Sequence, residues 1–257
     1  MIVAAAPPLS APESPIPELA VIVPVRNEQD NVLPLIEEIH AALEGHGAFE
    51  VIYVDDGSTD ATPHRLKAAR DRFPRLRTVR HRTSCGQSQA VATGVRLAGA
   101  PWIATIDGDG QNDPADIPRL VAALRAAGPE AGRTLVAGHR RKRQDTRIKR
   151  ISSRIANRVR AALLHDDTPD SGCGLKVFAR ESFLDLPRFD HMHRFLPALM
   201  LRAGGRVVSV AVNHRPRERG CSNYGLWDRL WVGLFDLAGV MWLQHRAINP
   251  DIEPDQE

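Results

Sequence analysis

From residue 19 onward the chain alternates between short apolar runs and segments of helical spacing, and that rhythm leaves few folds open. "LAVIVPV" (19–25) is apolar without interruption, the pattern of a parallel strand covered on both faces. Val32, Ile36, Ile39 and Leu43 then recur at helical spacing. "EVIYVDD" (50–56), "RLRTVRH" (75–81), "PWIATID" (101–107) and "RTLVAGH" (133–139) read as further strands. Between them lie helices over about 60–72, 87–97 and from Pro114 to about 127, where proline suits the first turn. Strands alternating with helices imply right-handed βαβ units and a mostly parallel sheet flanked by helices. After residue 139 the rhythm loosens. A short strand (about 174–178), a helix near 193–203 and the strand "RVVSVAVNH" (206–214) are expected, then the loop "RPRERGCSNYG" (215–225) and a last helix from about Leu226.

In an open parallel sheet, ligands bind outside the carboxyl ends of the strands. Four polar segments fall there: "PVRNEQDN" after the first strand, "VDDGSTD" after the second, "SCGQSQA" after the third and "DGDGQNDP" after the fourth. A strand-end aspartate is often a turn former or helix N-cap, which is the expected role of Asp113 and Asp116 and one of two readings of Asp60, the other being a ligand contact. Asp107 and Asp109 are different. They crowd around Gly108, which lets the backbone approach a ligand closely, and with the Gln111 amide oxygen they make a hard oxygen site for Mg²⁺ or Mn²⁺. A calcium EF-hand loop is excluded, since its sixth position needs Gly and its twelfth Glu, and here stand Asn112 and Pro118.

Composition narrows the class further. Hydrophobic residues at 43% and charged residues at 25% are ordinary for a soluble globular protein. Cys85, Cys173 and Cys221 lie far apart with no CxxC spacing, so neither a disulfide framework nor a zinc site is expected, which fits a reducing compartment. The opening "MIVAAAPPLSAPESPIPE" has no basic flank or long apolar core; it reads as a disordered Pro/Ala-rich leader rather than a signal peptide.

Taken together, "PVRNEQDNV", "VDDGSTDAT", "GQSQAV", "DGDGQNDP", "DSGCGLKVF" and "HRPRERGCSNYG" resemble the family 2 glycosyltransferases of GT-A fold. Within them the likeness is to the dolichol-phosphate mannosyltransferase-like branch, which loads a sugar from a nucleotide onto a polyprenyl phosphate. The resemblance runs from about 19 to 245. It implies that Pro24, Arg26, Glu28, Val54 and Asp56 hold the nucleoside of a UDP- or GDP-sugar. It implies that Asp107, Gly108, Asp109 and Gln111 bind the metal and the diphosphate, and that Arg140 meets the diphosphate or the acceptor. It places Asp170 as a base or acceptor-positioning carboxylate. Arg217, Arg219, Ser222 and Asn223 would form an acceptor loop; where many relatives carry a basic residue in a GxSK pattern, this chain has Asn223. The implied domains are a leader (1–18), a catalytic domain (19–222) with nucleotide-sugar (19–136) and acceptor (137–222) halves, a helix (223–247) and a tail (248–257).

The implied chemistry is an inverting displacement at the anomeric carbon with an oxocarbenium-like transition state. A hydroxyl acceptor, as in polysaccharide synthesis, would need a general base. A phosphate monoester would not, because its second pKa near 6 leaves it largely dianionic. A GT-A-fold module without catalysis is the alternative of another class.

Arg140 to Arg160 contains ten Lys/Arg and one acid, Asp145. Ile148, Ile151, Ile155, Val159 and Leu163 share one expected helical face and Arg147, Arg150, Arg154 and Arg158 the adjacent one. The stretch has no aromatics to stack on bases, so an anionic membrane surface is expected as partner rather than nucleic acid. In the last helix Trp227, Leu230, Trp231, Leu234, Phe235, Ala238, Met241 and Trp242 form one broad apolar face, suited either to an interfacial position or to core packing. The run is too short to span a bilayer. The expectation is a cytoplasmic enzyme held peripherally on the inner membrane face, or through a separate membrane protein.

Overall fold

A computed structural model describes residues 16–140, 160–216 except 162 and 167, and 226–248. Seven strands form one sheet in the order β3-β2-β1-β4-β6-β5-β7. They are β1 (Leu19–Val25), β2 (Phe49–Asp55), β3 (Leu76–Arg80), β4 (Trp102–Thr105), β5 (Thr134–Arg140), β6 (Lys176–Ala179) and β7 (Arg206–Val212). The pairs β1·β2, β2·β3, β1·β4 and β5·β7 are parallel. β6 alone runs the other way, antiparallel to both β4 and β5. The mostly parallel sheet read from the sequence is therefore present, with one reversed strand near its middle.

Side chains alternate across the sheet and build two cores. Val21 and Val23 of β1 face one core with Leu35, Ile36 and Ile39 of α1 (Val32–Leu43), Leu66 of α2 (Thr62–Arg72) and, from farther along the chain, Ile117, Leu120 and Leu124. Ala20 and Ile22 face the other, with Val91 and Val95 of α3 (Gln87–Leu97). Further helices are α4 (Ile117–Arg125), α5 (Arg180–Leu184), α6 (Leu196–Arg202) and α7 (Leu226–His245). Gly94 lets α3 lie close on the sheet, since a Cβ there would come 2.4 Å from Ile22 Cγ2. Pro114 opens a 3₁₀ turn, Pro114–Asp116, that leads into α4, so the expected single helix is split at its start.

The strand directions decide where chemistry can happen. The carboxyl ends of β1, β2, β3, β4, β5 and β7 all lie at one edge of the sheet, and because β6 is reversed its amino end, Lys176, sits there too, opposite Thr105.

The expected face of α7 is divided. Phe235 (77% exposed) and Trp242 (61%) point to solvent, while Val240 is buried and Met241 packs against the second core. One side of the expected stripe, with Met241, thus packs on the core, while Phe235 and Trp242 face solvent. No helix of the described residues is long and apolar enough to cross a membrane. Most of the expected leader, most of the basic stretch and the acceptor loop with Arg217, Arg219, Ser222 and Asn223 lie outside the described residues, as do the side chains of Trp227, Leu230, Trp231 and Leu234.

Candidate active site

The loops after β1 and β2 are laced together by their own polar residues. The Asn27 amide donates to Ser58 Oγ (2.9 Å), the Glu28 amide to Thr62 Oγ1 (2.9 Å), and Asn27 Oδ1 accepts from the Thr59 amide (2.8 Å). Asn27 takes a left-handed conformation, φ 57°, which asparagine tolerates better than most residues. Asp60 Oδ1 accepts from the Thr62 amide at 2.9 Å, the turn role of its two readings. Much of "RNEQDN" and "DGSTDAT" is thus devoted to holding two loops in register. Pro24 and Arg26 lie at this edge, Arg26 exposed. Glu28 is buried and accepts from Asn31 Nδ2 at 2.6 Å.

Val54 is fully buried inside the sheet, in the second core. Strand alternation turns its side chain to the face of the sheet that this core covers. Asp56 is nearly buried and gathers the next loop around itself. It accepts from Ser84 Oγ (2.7 Å), the Cys85 amide (2.8 Å) and the Gly86 amide (2.9 Å), and pairs with His81 Nδ1 (2.7 Å). Burial alone would raise its pKa; the hydrogen bonds from Cys85, Ser84, His81 and Gly86 outweigh that and hold the carboxyl below the usual range.

At the end of β4 the backbone turns through Asp107-Gly108-Asp109-Gly110. Gly108 passes close beneath β1: a Cβ there would meet Val25 Cγ1 at 2.4 Å and the Pro24 carbonyl oxygen at 2.9 Å. Burial, then repulsion from Asp109, pushes the Asp107 carboxyl up to about 6, against the opposing charges of Lys176 and Arg140. Gln87 Nε2, in the first turn of α3, donates to Asp107 Oδ1 at 2.8 Å. Asp109 Oδ1 accepts from the Gln111 amide at 3.1 Å. Among the described residues the second oxygen of each aspartate has no hydrogen-bond partner, so one oxygen of each is available to a cation. Gln111 Nε2 lies 3.5 Å from the Arg215 carbonyl oxygen, the long end of hydrogen bonding.

Two residues outside the expected set complete the surroundings of Asp107. Gly174 stands against it; a Cβ there would lie 2.2 Å from the carboxyl carbon. Lys176 is buried, its ammonium donates to the Cys173 carbonyl, and burial lowers its pKa. The one hint in the sequence is a lysine in an otherwise apolar strand, "LKVFA". His193 and Gln87 join Lys176 and Asp107 around a pocket of about 20 Å³, room for a water molecule.

Arg140, at the end of β5, meets Asp170 in a forked pair, Nε–Oδ2 at 2.6 Å and Nη2–Oδ1 at 2.7 Å. Burial works against the guanidinium charge, but the hydrogen bonds and charge of Asp170 more than restore it. The structure therefore brings Arg26, Glu28, Asp56, Asp107, Asp109, Gln111, Arg140 and Asp170 to one edge.

The family described as Glycosyl transferase family 2 matches residues 20–186. The chain is 36% identical over 245 residues to the dodecaprenyl-phosphate galacturonate synthase of Rhizobium johnstonii, covering 91% of this chain and 69% of that protein. It is 31% identical over 227 residues to the undecaprenyl-phosphate 4-deoxy-4-formamido-L-arabinose transferase of Salmonella paratyphi A, covering 88% and 68%. Among solved structures, glucosyl-3-phosphoglycerate synthase from Mycobacterium tuberculosis, in complex with Mn²⁺, UDP-glucose and phosphoglyceric acid, superposes with a TM-score of 0.65 at 18% identity, covering 91% of this chain and 81% of that one. Mannosyl-3-phosphoglycerate synthase from Rubrobacter xylanophilus gives 0.65 at 16%, covering 93% and 78%. At such identities the structural likeness speaks to the fold, which is GT-A. A match spanning most of the sheet, with relatives at 36% and 31% identity, makes this chain a member of glycosyl transferase family 2.

Proposed function

We propose that this chain moves a sugar from a nucleotide-sugar to a polyprenyl phosphate, with Mg²⁺ or Mn²⁺ held by Asp107 and Asp109. The observation that carries the reading is the pair of carboxylates at the end of β4, where burial and then repulsion from Asp109 push Asp107 up to about 6. Two hard oxygen donors that repel each other and keep one oxygen apiece uncommitted are a fit partner for such a cation. When bound, the cation supplies positive charge to meet the negative charge that develops on the departing diphosphate. Gln111 braces Asp109 through its backbone amide. The nucleoside lies over the loops after β1 and β2, near Pro24, Arg26, Glu28 and Asp56. Arg140 offers a guanidinium, aimed and kept charged by Asp170, to the diphosphate or the acceptor phosphate.

The acceptor class rests on the named relatives, which act on dodecaprenyl and undecaprenyl phosphates. The geometry supports it. A hydroxyl acceptor would call for a free general base, and Asp170 commits both oxygens to Arg140. A phosphate dianion needs none. Phe235 and Trp242 on α7 suit a peripheral seat on the membrane that carries such a lipid.

Purified protein with undecaprenyl phosphate and labelled UDP- and GDP-sugars tests this. Label should enter the organic phase with one donor, require Mn²⁺ or Mg²⁺, and be lost on chelation and in Asp109→Ala. Label that never enters lipid, while the same donors are hydrolysed or passed to sugars, would overturn it. Sedimentation with anionic liposomes tests the membrane seat; protein left in the supernatant at low salt counts against it.

A further inference from the structure

The carboxylate loop after β4 is tied to the segment after β7 by a short ladder of contacts. Asn112 and His214 form an antiparallel bridge, and the Arg215 amide donates to the Gln111 carbonyl at 2.9 Å. The Asn213 amide donates to Asp116 Oδ2 at 2.6 Å. At the end of this ladder Arg215 reaches two ways: Nη1 to Glu38 Oε2 of α1 at 2.7 Å and Nη2 to Asp113 Oδ1 at 2.8 Å. The loop that follows β4 carries Asp107, Asp109, Asp113 and Asp116 within ten residues, so it repels itself. Arg119 answers Asp116 at 2.9 Å and Arg215 answers Asp113. Arg215 also lines, with Asn31, Leu35, Glu38, Asp109 and Gly110, a groove of about 370 Å³ beside Asp109.

We propose that Arg215 is a positioning residue for Asp109: by bridging Glu38 and Asp113 it pins the carboxylate loop between α1 and the end of β7, in the register that presents the Asp107–Asp109 pair to its cation. The inference rests on the cation-dependent reading above. An isolated, half-exposed ion pair would be worth little. Arg215 differs because one rigid fork joins two elements on either side of a loop whose geometry must be held closely. It touches no reacting atom and acts through Asp113 and the backbone of Gln111.

Charge alone and positioning predict opposite signs. Removing a cation near Asp109 should tighten Mn²⁺ binding if only Coulomb attraction matters. If Arg215 positions the loop, Arg215→Ala should weaken it by about tenfold, the range seen when a partner behind a metal ligand is removed. Mn²⁺ titrations followed by electron paramagnetic resonance, with no nucleotide present, read this directly. Arg215→Lys keeps the charge but loses the fork, and should fall between. Arg72→Ala breaks the exposed Arg72–Glu37 pair between α2 and α1, which holds no residue of the carboxylate loop, and should bind Mn²⁺ as the wild type does. In metal-free protein, hydrogen exchange across residues 105–116 should quicken in Arg215→Ala. If that variant does not fold, Arg215→Lys, for which charge alone predicts no change, should still show a loss of the same sign. Mn²⁺ binding that is unchanged or tighter in Arg215→Ala, or unchanged in Arg215→Lys, overturns the inference while leaving the cation reading standing. A wild type that binds no more Mn²⁺ than Asp109→Ala overturns both.

Discussion

Arg140 and Asp170 meet through two parallel contacts of 2.6 and 2.7 Å, with only 15% and 7% of their side chains exposed. A pair this buried is costly to break from one side, because the remaining charge is left without a partner. Asp170→Asn and Arg140→Ala should each lower unfolding free energy by roughly 3–5 kcal/mol in urea titrations. Arg140→Lys should not restore the wild type, since an ammonium cannot form the fork. The paired change Arg140→Met with Asp170→Leu should recover much of the stability and none of the transfer activity. Equal stability of the single variants and the wild type would show that the pair is solvated in solution.

Asp107 is the group whose protonation should govern cation binding at mildly acidic pH. Its carboxyl is pushed up to about 6 by burial and by Asp109. Only the ionised form binds a cation well, so Mn²⁺ affinity should fall as pH drops from 7 through about 6. Asp109→Asn removes the repulsion and should lower the Asp107 midpoint in the metal-free protein. Carboxyl carbon chemical shifts followed by NMR would check it; an unmoved midpoint would show that burial alone sets the value.

Gly174→Ala should sharply lower activity with the fold retained. The added Cβ would come 2.2 Å from the Asp107 carboxyl carbon and must push that carboxylate aside. Displacing the carboxylate proposed to hold the cation should cost on the order of a hundredfold in kcat/KM. Circular dichroism and a thermal midpoint near the wild type's should accompany the loss. Full activity would mean that Asp107 has room to step back without penalty.

His193 should make the protein acid-sensitive. Burial, with the charges of Arg194 and Lys176, lowers its pKa from 6.5 to about 3, and its Nδ1 pairs with Ser88 Oγ at 2.7 Å. A group depressed in the fold stays neutral there while the unfolded chain takes up a proton below 6.5, so the unfolded state binds more protons. Its contribution is whole above about 6.5 and is lost as pH falls toward 3. Thermal midpoints should drop across that window, and His193→Gln should show a shallower drop. Identical slopes in both proteins would contradict the assignment.

The sequence by itself determined the sheet's makeup and the edge where its chemistry gathers. Uninterrupted apolar runs such as Leu19–Val25 bury both faces, and polar segments can follow such strands only at their carboxyl ends. That local logic places Asp56, Asp107 and Asp109 together with no knowledge of packing. Tertiary structure alone decided what those side chains meet. Periodicity carries no strand direction, and the reversal of β6 is what brings Gly174 and Lys176 to Asp107, about seventy residues away along the chain. Pairings at long separation, Arg140 with Asp170 and Arg215 with both Glu38 and Asp113, follow from where loops close over the edge. Val54 shows the converse: it stands two residues before Asp56 in the motif, yet strand alternation turns its side chain into the core. Spacing tells which residues can face the same way; only the packed sheet tells what they face.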